Sequence, residues 1–163
     1  KLFCSPRRRN PNACLASVLL AMALDLNMVF VSFPVVTWGD ADWGGDCSAV
    51  AHRLSAGVSS ITAGGNAFAA LKDSSEVVTW GDADGGGDCS AVADRLTEGI
   101  IWITGSAQAF VALKDTGEVV TWGFERHGGD SSSVAHRLVA GVASITGNRE
   151  AFAALKDAGE VAI

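Results

Sequence analysis

A 42-residue unit occurs three times in tandem and governs what this chain can fold into. VVTWGDADWGGDCSAVAHRLSAGVSSITAGGNAFAALKDSSE spans residues 35–76, VVTWGDADGGGDCSAVADRLTEGIIWITGSAQAFVALKDTGE spans 77–118, and VVTWGFERHGGDSSSVAHRLVAGVASITGNREAFAALKDAGE spans 119–160. Val161, Ala162 and Ile163 repeat the opening of the unit. A repeat of this length is one supersecondary unit that cannot bury its apolar surface alone, so neighbouring copies must stack on each other.

Within a unit the pattern is that of short strands. The run at residues 67–72, the polar Asp73-Ser74-Ser75-Glu76 and the run at residues 77–80 predict a hairpin with a four-residue turn. Gly117 and Gly159 stand in the same turn in the later copies, where the backbone needs positive φ. A third β-prone run, residues 58–62, follows Gly57 and returns at 100–104 and 142–146. Residues 48–54, with Val50 and Leu54 four apart, fit a helical turn or the approach of an outer strand equally. With 19 glycines, 3 prolines and no tyrosine, the composition also favours many tight turns. The expected fold is all-β: three tandem blade-like repeats of an incomplete β-propeller over residues 35–163, preceded by an N-terminal apolar helix within residues 1–34.

The wording I-T-x-G, then A-F-A-A-L-K-D-x-G-E-V-V-T-W-G-D, resembles the repeat of the regulator of chromosome condensation family, on Ile61, Gly64, Ala70, Leu71, Asp73, Val78, Trp80 and Gly81 and their echoes in the other copies. The resemblance covers about four fifths of the chain. V-V-T-W-G-D-A-D-x-G-G-D is also similar to repeat arrays of dinoflagellate algae. The family implies propeller blades, and its founding member implies guanine nucleotide exchange on a small GTPase or a chromatin-associated role. Where the family carries a Gly-Gln-Leu-Gly-like segment after Trp-Gly, this chain has Gly44-Gly45-Asp46. Closed propellers use about four to eight blades, and an open arc leaves two unpaired edges. The chain is therefore expected to be a fragment, an oligomer or a subunit of a complex.

The N-terminal 34 residues differ in kind. Lys1, Arg7, Arg8 and Arg9 precede any acid, the first of which is Asp25. Residues 13–33 contain no other formal charge, and their length suits a membrane span. Leu15, Val18, Leu19, Leu20, Leu24, Val29 and Phe30 are the expected membrane or docking positions. A basic cluster ahead of an apolar stretch fits a membrane anchor, a docked helix or a targeting signal, and Asp25 weakens the first of these. A start at Lys1 suggests processing or a fragment.

The remainder carries 8 basic against 18 acidic residues, a balance of −10. A duplex-binding face needs clustered cations, so no nucleic acid is expected on the repeats. Cys4, Cys14, Cys47 and Cys89 form no C-x-x-C pair. Cys47 and Cys89 hold one repeat position, filled by Ser131 in the third copy, which reads as a small, tolerant site. Asp40, Asp42 and Asp46 lack the spacing of a calcium loop and read as a solvated acidic loop. His52 and His136 alternate with Asp94, which suggests exposure, and no Ser–His–acid set or phosphate loop is present. No catalytic residue, metal ligand or cofactor is expected.

Trp38, Trp80 and Trp122 recur at the repeat period and read as packing residues, whereas Trp43 and Trp102 break the symmetry and are the candidate contact residues. The functional expectation is a non-enzymatic structural or protein-interaction subunit. It would pack with other protein subunits at a membrane, and the algal resemblance implies a plastid thylakoid assembly such as a photosystem. The alternatives are the exchange factor just named, cytoplasmic or nuclear, and a soluble inhibitor-like binding propeller.

Overall fold

The computed structural model describes residues 35–157. The expected apolar helix, all of its membrane or docking positions, and the start of a fourth copy lie outside these residues. Among them, no helix is long and apolar enough to cross a membrane.

The described chain is an all-β arrangement of three small antiparallel sheets. Strands β1 (Val58–Ala63), β2 (Ala67–Lys72) and β3 (Val77–Gly81) form the first, in that order. Strands β4 (Ile100–Gly105), β5 (Ala109–Lys114) and β6 (Val119–Gly123) form the second, and β7 (Val142–Gly147) with β8 (Phe152–Lys156) form the third. These strands fall on the runs read from the sequence. The third strand of each full sheet opens the next 42-residue copy, so every complete sheet straddles a copy boundary. The open question at residues 48–54 resolves as a 3₁₀ turn, Ser48–Val50, which recurs at Ser90–Arg95 and Ser132–Arg137.

Register is the same in each sheet: Phe68 faces Trp80 and Ala70 faces Val78, as Phe110 faces Trp122 and Ala112 faces Val120. The middle strands are the most enclosed, because they have neighbours on both edges and on both faces. Ala69, Ala70, Ala109, Phe110 and Ala112 are fully buried. The alanines of A-F-A-A-L-K follow from this crowding, since a larger side chain would hold the layers apart.

Each sheet buries apolar side chains against its neighbour, the third doing so through Val142 on Val111, Leu113 and Val119. Val77 and Leu71 of the first sheet pack with Ile100, Ile103 and Val120 of the second in a single apolar cluster. Strand β4 lies against β1 on one side and β7 on the other. Backbone bonds join equivalent points of successive copies: the Gly65 N–H donates to Ala107 C=O at 2.7 Å, and the Ala107 N–H to Arg149 C=O at 2.9 Å. Each of these steps is one repeat long.

Candidate functional site

The loops after Trp-Gly set the geometry between sheets. Gly44, Gly86 and Gly128 have φ near +90°, a region that favours glycine. Each lies on the phenylalanine of the next sheet, so a Cβ on Gly86 would come within 2.6 Å of Phe110 Cδ2. Phe110 stacks on Trp122 with ring centroids 5.5 Å apart, and the Trp122 Nε1–H donates to Gly86 C=O at 3.1 Å. Phe68, Trp80 and Gly44 repeat this arrangement. Trp80 and Trp122 are 5% and 4% exposed, in line with a packing role. Trp38 differs: it is 80% exposed, with no aromatic stacked on it among the described residues.

In the first two copies an ion-pair cluster ties the chain at and just after the 3₁₀ segment to the following hairpin. Arg53 donates to Glu76 at 2.7 Å and to Val77 C=O at 3.1 Å, and Arg95 treats Glu118 and Val119 C=O in the same way. Hydrogen bonding to Arg53 holds the Glu76 carboxyl below its ordinary range, and Arg95 does so for Glu118. Lys72 and Lys114 stand 3.7 Å from the second oxygens. These side chains are partly exposed, from 14% at Lys114 to 52% at Arg95, and clamp the turn to the hairpin.

Among the described residues, no group of three or more His, Cys, Asp or Glu side chains is placed to hold a metal. His52, Asp94 and His136 are exposed. Asp88 and Asp130 are held below their ordinary carboxyl range by the backbone N–H groups of Ser90 and Ser132, in small turns that open the 3₁₀ segments. Cys89 is a free thiol, but Cys47, at the same repeat position, is 1% exposed and disulfide-bonded. Repeat alignment treats the position as tolerant because a cross-link in one copy leaves no trace in the others.

The two candidate contact residues sit on different elements. Trp43 lies in the wide turn Ala41–Gly45 and is 58% exposed, and Trp102 lies on β4 and is 55% exposed. Sequence reasoning missed the neighbour of Trp102. The first strand of every sheet carries a β-bulge, with the register slipping between Val58 and Ser60, Ile100 and Trp102, and Val142 and Ser144. A bulge re-aims side chains, and here it brings two consecutive residues to the surface. In β1 these are Ser59 and Ser60, in β7 Ala143 and Ser144, and in β4 Ile101 and Trp102, with Ile101 57% exposed. An isoleucine against serine and alanine in the other copies was the available signal.

The fold and site define an all-β repeat protein with one exposed pair of large apolar residues in a bulge series that otherwise carries serine and alanine. No protein-family model and no curated protein matches the chain. Among solved structures it is similar to the crystal structure of the entire ectodomain from the Physcomitrella patens receptor kinase CR4, at 19% identity and a TM-score of 0.44. The match covers 76% of this chain and 31% of that one. A likeness at this level defines neither family nor function.

Proposed function

We propose that the chain is a non-enzymatic protein-interaction module whose repeats are propeller-type blades of the regulator of chromosome condensation kind. Three serial sheets, linked copy to copy at one-repeat intervals and each burying apolar side chains against the next, support the blade reading. The observation that carries the interaction role is the Ile101–Trp102 pair. Two large apolar side chains are held side by side in water by a backbone device that presents small residues in the sister copies. Contact hot spots are enriched in tryptophan and are ringed by polar residues that exclude water. The bulge supplies that setting, with Ser60 and Ser144 at the corresponding points of the adjoining strands β1 and β7. In this reading residues 13–33 supply attachment to a membrane assembly.

Cross-linking the native assembly and identifying the linked peptides tests the proposal. Cross-links from β1, β4 and β7 to another subunit, reduced when Ile101 and Trp102 are both replaced by serine, are the expected result. An unchanged cross-link pattern in the doubly substituted chain would reject this pair as the contact.

A further inference from the structure

We propose that the Asp84–Gly85 peptide bond is a site of spontaneous conversion to isoaspartate, and that conversion there loosens the joint between the first and second sheets. The reaction needs no partner but water.

Asp84–Gly85 is the one aspartate–glycine step in the sequence, and no asparagine precedes a glycine. At the same repeat position the first copy has Asp42-Trp43 and the third Arg126-His127. In the reaction the Gly85 nitrogen attacks Asp84 Cγ: an N–C bond forms, the C–OH bond of the carboxyl breaks, and the hydroxyl leaves as water with the amide proton. The product is a cyclic imide. Water then opens it at either carbonyl. Attack at Cγ restores aspartate, whereas attack at the main-chain carbonyl frees the α-carboxyl and leaves the chain running through Cβ and Cγ. At residue 85 no side chain obstructs the approach, as the indole of Trp43 or the imidazole of His127 does in the other copies.

The structure sets this turn apart from its sister in the first copy. Asp84 lies in the wide turn Ala83–Gly87, of sequence ADGGG. It is exposed and borders an open cleft with Asp88, Phe124 and Glu125, so water reaches it. In the first copy the Asp40 carboxylate caps the turn, accepting from the Asp42 N–H at 3.1 Å. Asp82 makes no such cap, and its carboxylate accepts instead from Asn66 Nδ2 at 3.5 Å. Two restraints are thus missing where nucleophile and carboxyl must rotate together: the cap on the Asp84 N–H and a side chain on residue 85. Exposed turns held by few bonds are the parts of a fold that open most readily.

Gly86 anchors the same turn to the second sheet. It is buried on Phe110, where even an added Cβ comes within 2.6 Å of the ring, and its carbonyl accepts the Trp122 indole N–H at 3.1 Å. The Gly87 N–H closes the turn on Asp82 C=O at 2.8 Å. Isoaspartate lengthens the backbone by a methylene just ahead of these anchors, and only Gly85 stands between to absorb it. The loop therefore shifts off the Phe110–Trp122 pair.

The test is to incubate the folded full chain at physiological temperature and pH beside the Asp84→Glu variant, sampling both over weeks. Glutamate must form a larger imide ring, which closes far more slowly, and the position is exposed, so the variant should fold as the parent does. Isoaspartate is read as methyl transfer from labelled S-adenosylmethionine by an isoaspartyl methyltransferase and is located by peptide fragmentation. Methyl incorporation should rise with time in the parent, map to Asp84 rather than Asp42, and fall to background in Asp84→Glu. The unfolding temperature of the aged parent should drop by several degrees, while that of the aged variant stays where it began. No isoaspartate at Asp84 in the folded chain, equal amounts at Asp42 and Asp84, or an aged parent as heat-stable as the fresh one overturns the inference.

Discussion

The indole N–H of Trp122 donates to the carbonyl of Gly86, 36 residues earlier, at 3.1 Å. Trp80 does the same to Gly44. This bond fastens the loop that leaves one sheet onto the aromatic pair of the next, and it fixes the spacing between sheets through a buried donor and a buried acceptor. Either group left alone would carry its full desolvation cost.

Trp122→Phe therefore keeps most of the stacking area but strands the Gly86 carbonyl. The expected loss is about 1–3 kcal/mol of unfolding free energy, measured by urea denaturation. Trp38→Phe, at an exposed position, should stay within about 0.5 kcal/mol of the parent.

Gly86→Ala and Gly39→Ala separate backbone strain from crowding. Both glycines have positive φ, so both variants incur left-handed strain of about 1–2 kcal/mol. Only at Gly86 does the new methyl meet an aromatic ring, at 2.6 Å, whereas nothing lies within 4 Å of a Cβ at Gly39. Gly86→Ala should be the less stable of the two by about 1–3 kcal/mol, read from their thermal and urea midpoints.

Acid should loosen the hairpin clamps. The carboxyls of Glu76 and Glu118 have folded pKa values lowered by their arginine partners. Their contribution is present in full above the unfolded value, near 4.5, and is lost as pH falls through the lowered folded value. Unfolding midpoints should fall as pH drops below about 5, and Glu118→Gln should flatten that slope. Both carboxylates are partly exposed, so each pair contributes no more than about 1 kcal/mol.

Replacing Ile101 and Trp102 by the Ser-Ser of β1 should leave stability within about 0.5 kcal/mol per site, because the bulge already presents serines in a sister strand. Affinity for the partner identified by cross-linking should fall by about tenfold or more, as measured by surface binding. A parallel loss of stability would show that the pair belongs to the interior instead.

The repeat itself carried the strands. Their positions, hairpin turns and crowded alanines were legible because period-two runs and turn residues act over a few positions, and three copies state the same pattern independently. Trp102 was legible as a break in that pattern. Ile101 was not singled out, since a strand read as simple alternation sends neighbours to opposite faces, and only the bulge puts both in water.

What the sequence determined by itself was local: short strands, tight turns, and copies that must stack to bury their apolar faces. What the tertiary structure decided was which surfaces meet. Trp38, Trp80 and Trp122 stand in the same local wording, yet one is bare and two are sealed, because sealing requires a phenylalanine from the neighbouring strand and a glycine loop from the preceding sheet. Cys47 and Cys89 likewise hold one repeat position, the first buried and the second partly exposed, because local wording does not fix what packs beside each copy.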